Sequence, residues 1–277
     1  MYHGTSTTAT DAYIATSAFN TYETSSPKYV GYMYGDTDAT LEEARTNTNN
    51  STIKTAIDNW YASNMISYTK YLSPTAVYCN DRELATGSTY KVANYIKNDT
   101  ETLIAYLDAE DTKKTIIAAP EVGGLGSKFY YASTDRLQTN KTPTYNCTND
   151  NDKFTVDASA GNEKLTYPIA LMTADEIAYA GGVYATNAPM WYYTNSTLES
   201  STGTTDWWSL SPDYWNGQYA GSWLVEGSDN PGLLNGIIVM GSSGVRPVVS
   251  LKTCIKYRTG TGTSETPYEI VETSSGC

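Results

Sequence analysis

Apolar positions recur at helical spacing over one long stretch of this chain, Ser51 to Leu72. Ile53, Ile57, Trp60 and Tyr61 share a side, Asn64 continues it, and Tyr68 and Tyr71 extend it. Ser51 stands where an N-cap is needed and Ser73-Pro74 provides a stop. Val92 to Leu107, with Ile96, Leu103, Ile104 and Leu107 apolar, predicts a second helix. Leu41 to Arg45 predicts a helical turn. Thr173-Ala174-Asp175-Glu176 is a capping box opening a helix that runs to Ala180 and ends at Gly181-Gly182. The strand signals are short: Lys28–Tyr34, Thr75–Cys79, Leu165–Leu171, Trp207–Ser211, Val245–Leu251 and Tyr268–Val271, with an aromatic segment at Ala188–Tyr193. Helices in the first half and many short strands in the second predict an α+β fold with an irregular antiparallel sheet.

The stretch from Thr205 to Leu251 is the densest in aromatic residues. Trp207 and Trp208 are neighbours, so on a strand they face opposite sides and cannot share one core. Beyond them, Gly217, Gly221, Gly227, Gly232, Gly236, Gly241 and Gly244 cut the chain into short strands and tight turns. Just before and between these glycines stand Asp213, Tyr214, Trp215, Asn216, Gln218, Tyr219, Ser222, Trp223, Glu226, Ser228, Asn230 and Asn235. Stiff amphipathic rings interleaved with adaptable amides and hydroxyls are paratope chemistry, so these twelve residues are the candidate ligand-binding set. The alternative is that this stretch forms only β core. Against it, each buried polar group there would need a partner. Arg246, alone in an apolar strand, is read as structural, with its guanidinium satisfied beneath the loops.

Composition narrows the class. The 277-residue chain carries a net charge of −12, which argues against nucleic acid or an anionic membrane as partner. Tyrosine is abundant, at 25, and phenylalanine scarce, at 3, as suits an extracellular surface. Cys79, Cys147, Cys254 and Cys277 show no metal-ligand spacing, and the one histidine is His3. Two disulfides, Cys79–Cys147 and Cys254–Cys277, are preferred over free thiols, although four cysteines allow three pairings. No metal and no cofactor are expected. Gly123-Gly124 and Gly126 lie in a loop without a phosphate-binding signature. Asp175 and Glu176 could form a catalytic pair, but their place at a helix N-terminus accounts for both.

Three segments resemble a known group. Leu165-Thr166-Tyr167-Pro168-Ile169-Ala170-Leu171-Met172-Thr173-Ala174-Asp175-Glu176, Trp207-Trp208-Ser209-Leu210-Ser211-Pro212 and Gly244-Val245-Arg246-Pro247-Val248-Val249 look like bacterial surface proteins with a C-type-lectin-like fold. The fold is of the formylglycine-generating-enzyme type. Members include the variable proteins of diversity-generating retroelements, often on pilin-like stalks. The resemblance covers Ser51 to Leu251 and implies a variable region between the tryptophan strand and the Gly-Val-Arg-Pro strand. Neither calcium-binding signature of the sugar-binding relatives, Glu-Pro-Asn or Gln-Pro-Asp, is present.

The resulting expectation is an exposed leader or stalk end at residues 1–28, then a C-type-lectin-like ligand-binding domain at 29–277. Its function would be that of a bacterial or phage cell-surface receptor or adhesin, not an enzyme. Its partner would be a protein or glycan, and an N-terminal anchor would lie outside this sequence. A formylglycine-generating-type oxidase or another enzyme of the same fold, such as a hydrolase using Glu176 or Asp213, and a structural pilus tip are the alternatives. Free thiols would favour the oxidase.

Overall fold

The computed structural model describes residues 13–21, 26–91, 128–186, 206–227, 230–261, 266 and 268–274, and the backbone strands at 94–97, 103–106 and 115–116. Its mixture of short helices and antiparallel strands is α+β. One seven-stranded sheet organises it: β1 (Ala15–Ala18), β2 (Phe129–Tyr130), β3 (Val183–Tyr184), β4 (Trp207–Trp215), β5 (Ala220–Val225), β6 (Leu233–Ile238) and β7 (Ser242–Val245). The spatial order is β1-β7-β4-β5-β6-β3, with β2 pairing the far end of β4. The β4–β5–β6 meander is antiparallel, whereas β3 joins β6, and β7 joins β4, in parallel.

Both faces of this sheet are covered. On the first, Trp208, Leu210, Trp215, Leu224 and Val245 pack with Phe19, Phe129 and Ile53, Ile57 and Tyr61 of the long helix. On the second, Trp207, Trp223, Val225 and Leu234 pack with Leu137, Ala174 and Ile177. Trp207 and Trp208 thus serve separate cores, as strand alternation requires. The helices are α1 (Leu41–Ala44), α2 (Thr52–Asn64), α3 (Ala132–Thr134) and α4 (Ala174–Tyr179). The α3 turn runs on into a π-turn, Asp135–Asn140. Ser51 caps α2 by accepting from Lys54 N, and Thr173 with Glu176 forms the capping box of α4.

Several expectations are corrected. The helix from Ser51 stops at Asn64. A 3₁₀ segment, Ile66–Tyr71, follows, and Tyr61 Oη and Thr69 Oγ1 share a 2.8 Å hydrogen bond across the join. That tighter turn leaves Tyr68 exposed and buries Tyr71. Val92–Leu107 is not helical where described: Asn94–Lys97 and Leu103–Tyr106 pair as antiparallel strands. Isoleucines eight residues apart satisfy both periods, and cross-strand pairing of Ile96 with Ile104 decided between them. At Lys28–Tyr34 only Met33–Tyr34 is strand, because Ser26 and Pro27 start a 3₁₀ turn over Pro27–Val30. The strand at Leu165–Leu171 reduces to Ala170–Leu171, and Val245–Leu251 breaks into the end of β7 and Pro247–Val248.

The leader assignment for residues 1–28 fails where it is described. β1 pairs with β7, and Phe19 is fully buried edge-on to Trp208 at 5.7 Å. Small Ala, Thr and Ser residues look like a linker, yet they suit a strand laid beside Ser243 and Gly244. The Cys79–Cys147 disulfide forms. Cys254 is also disulfide-bonded, while its expected partner Cys277 lies outside the described residues. The segments at Gly123–Gly126 and Ala188–Tyr193 lie outside them too. Among the described residues, no helix is long and apolar enough to cross a membrane.

Candidate functional site

The second face of the sheet opens to solvent at one end, and a bulge decides which side chains appear there. Pro212 pairs with Ser222 but Tyr214 pairs with Gly221, so Asp213 is one residue in excess on β4. Such a bulge places two successive side chains on one face. Asp213 and Tyr214 both reach the second face, over Gly221 and Gly236. A Cβ at Gly221 would overlap the Tyr214 ring, and one at Gly236 would overlap the Asp213 carboxylate. Glycine is needed at both positions to seat these side chains.

The result is a row across four strands: Tyr130 opposite Tyr214, Tyr214 opposite Gly221, and Gly221 opposite Ile238. Tyr130 is 45% exposed and Tyr214 and Ile238 are half-buried. Directly after Tyr214-Trp215 comes the hairpin tip. Asn216 Oδ1 accepts from Gln218 N at 2.9 Å and Tyr219 N at 2.7 Å, and Gly217 takes φ 94°. Gln218 Nε2 donates to Tyr219 Oη at 3.0 Å. Rings and amides therefore stand on a turn whose backbone is internally tied.

Beneath the row, α3 grips the bulge. Ser133 Oγ donates to Pro212 O and accepts from Trp223 Nε1 at 3.0 Å. Thr134 Oγ1 donates to Asp213 Oδ1 at 2.8 Å, and Tyr131 N donates to Asp213 O at 2.9 Å. Burial pushes the Asp213 carboxyl up to about 7, opposed only by the Thr134 hydroxyl. Burial also raises Tyr214, with the Asp213 charge and Tyr130 acting in the same direction.

The twelve sequence-predicted residues do not form one surface. Trp215, Ser222 and Trp223 are 0% exposed and Asp213 is 3% exposed, so these four belong to the interior instead of contacting a ligand. Ser228 lies outside the described residues. Tyr214, Asn216, Gln218 and Tyr219 gather at the open end. Glu226 is held from both sides, by Asn230 Nδ2 at 2.8 Å and Asn235 Nδ2 at 2.9 Å. Asn235 pairs with Leu224 of the first core, so this acid–amide cluster belongs to the other face. Tyr130 was missed. Alternation in Phe129-Tyr130-Tyr131 would have turned it away from the two buried neighbours, but its partner lies far along the chain. Arg246, 9% exposed, lies with its guanidinium carbon 5.1 Å from the Trp207 ring.

A cleft of about 250 Å³ lies elsewhere, lined by the Cys79–Cys147 disulfide, Asp81, Arg136, Tyr145, Asp175 and Glu176. Arg136 joins Asp175 through Nε at 2.7 Å and Nη2 at 2.9 Å, and Asp81 through Nη1 at 2.8 Å. Glu176 Oε2 accepts from Thr173 N at 2.7 Å. Asp175 and Glu176 are thus engaged in pairing and capping. Among the described residues no group of three or more His, Cys, Asp or Glu could hold a metal ion. No family model matches the chain, and neither a curated protein nor a solved structure is similar enough to it to count as a match.

Proposed function

We propose that this chain is the ligand-binding domain of a cell-surface receptor or adhesin with a C-type-lectin-like fold. Its contact surface is the open end of the second face: Tyr130, Tyr214 and Ile238 with the Asn216–Tyr219 tip. The observation that carries the reading is this cross-strand row of partly exposed rings on a frame that does not depend on them. Buried Trp207, Trp208, Trp215 and Trp223 hold the sheet, and Gly221 with Gly236 seat the row. Tyrosine and amide side chains on a rigid frame supply large contact area at low conformational cost. The Cys79–Cys147 disulfide suits an oxidising, extracellular compartment. Diversification of the surface between Asp213 and Met240, as the resemblance implies, is compatible with its exposed part but not with buried candidates such as Asp213, Trp215, Ser222 and Trp223.

The test separates the two faces. Capture is first scored on glycan and protein arrays with the parent chain. Alanine at Tyr130, Gln218 and Tyr219 together, with Asn216 kept because its side chain ties the turn, is expected to abolish capture and leave the fold within about 2 kcal/mol, since side chains that reach solvent cost little each. Alanine at Asn230 and Asn235 is expected to preserve capture. Capture that survives the first variant and fails in the second would move the site to the other face.

A further inference from the structure

Asp213 is the buried acid that the recognition surface itself does not use, and its surroundings set it apart. It is the extra residue of the bulge, 3% exposed, with its carboxylate against the Cα of Gly236 and its neighbour's ring over Gly221. Among the described residues the one side-chain donor to it is Thr134 Oγ1, at 2.8 Å, and no cation compensates it. Of the ionisable groups around it, Tyr214 is on its own strand and Tyr130 on β2, while the Tyr131 ring lies in the first core. On the helical segment, Asp135 accepts from Thr86 N, and Arg136 is taken by Asp81 and Asp175. Neither β5 nor β6 contains an ionisable residue.

Resting on the receptor reading above, we infer that Asp213 is a proton-operated positioning residue for Tyr214: neutral, it fits the Gly236 seat and holds the ring on Gly221; ionised, it opens the bulge and displaces the ring. The physical drive is desolvation. A buried carboxylate with one hydroxyl donor is costly, and the nearest relief is water at the open end of the row. Moving Asp213 outward rotates the same bulge that aims Tyr214, because the two residues share one irregularity of the strand. Burial lifts its titration to about 7, so both states are populated near neutrality. The recognition face would then engage its ligand better in mildly acidic than in alkaline surroundings.

The experiment needs no ligand. Carboxyl-carbon NMR of Asp213 and ring resonances of Tyr214 are followed from about pH 5 to about pH 9 in the intact chain. A common midpoint for the carboxyl and the ring is expected. Asp213→Asn, which mimics the neutral acid, should freeze the ring resonances in their low-pH form. Thr134→Val, which removes the donor, should move the midpoint upward. A carboxyl that stays in one state throughout, or a Tyr214 transition that persists in Asp213→Asn, overturns the inference. Once an array ligand is in hand, its Kd should weaken at least about fivefold on ionisation and become flat with pH in Asp213→Asn. A flat Kd in the parent also overturns it. Failure of the arrays alone would strike the receptor reading and leave the titration standing.

Discussion

At the scale of single residues, polarity does not tell where a side chain ends up. Asp213 looks like a surface acid and is interior, while Tyr130 looks like one ring of a core run and is 45% exposed. The Asp213 environment makes stability pH-dependent with a definite sign. Its folded titration, near 7, lies above the ordinary carboxylate range near 4, so folding takes up a proton between these limits. The contribution is fully present below about pH 4 and is lost as pH rises through about 7, amounting to at most about 4 kcal/mol. Asp213→Asn should therefore be more stable than the parent above about pH 8 and should flatten this part of the profile. Urea denaturation at several pH values checks it. Equal pH slopes in parent and variant would mean that Asp213 is solvated in the folded state.

At the scale of elements, β4 is the strand on which the rest depends. It inserts Trp207 into one core and Trp208 into the other. Trp208 Nε1 donates to Ser17 O at 2.8 Å, which ties the strand to β1, and Arg246 lies over Trp207. Alanine at either tryptophan should cost about 3–5 kcal/mol, as for other large-to-small changes in a packed interior. Chemical denaturation measures both. A cost below about 1 kcal/mol at either position would show that its face of the sheet is open. The local signals around β4 were readable: the Ser51 cap, the Thr173–Glu176 capping box and the adjacency of the two tryptophans each involve residues within a few positions. The bulge at Asp213 was not readable, because only the β5 register reveals an extra residue.

At the scale of the whole molecule, covalent and polar ties join distant segments. Arg82 Nε pairs with buried Asp152 at 2.7 Å, and Asn80 Nδ2 donates to Leu210 O at 2.8 Å, linking the first half of the chain to β4. Cys79 and Cys147 close a loop with a sequence separation of 68. Loop-closure entropy puts the stabilisation from such a crosslink at about 4 kcal/mol. Cys79→Ser with Cys147→Ser should lower the urea midpoint accordingly. A midpoint within error of the parent would mean that the Arg136–Asp175 and Tyr179–Pro143 contacts already hold the 141–149 segment.

Neighbouring residues settle the caps of α2 and α4, the α+β character and the separation of Trp207 from Trp208, whereas the pairing of Cys79 with Cys147, one of three that four cysteines allow, was fixed only by the fold. Tertiary structure alone decided which residues share the open end of the second face, the surface proposed for recognition. A single bulge reverses the inside–outside alternation of β4 between Pro212 and Tyr214. It sends Trp215 into the first core and sets Tyr214 beside Ile238 of the same meander and beside Tyr130, which comes from a strand far away in the chain. The same holds for β1, whose small residues carry no amphipathic pattern and become a strand only because β7 presents an open edge to them. Periodicity reads one segment at a time, whereas burial on a sheet with two covered faces depends on which strands lie opposite, and that information is spread over more than two hundred residues.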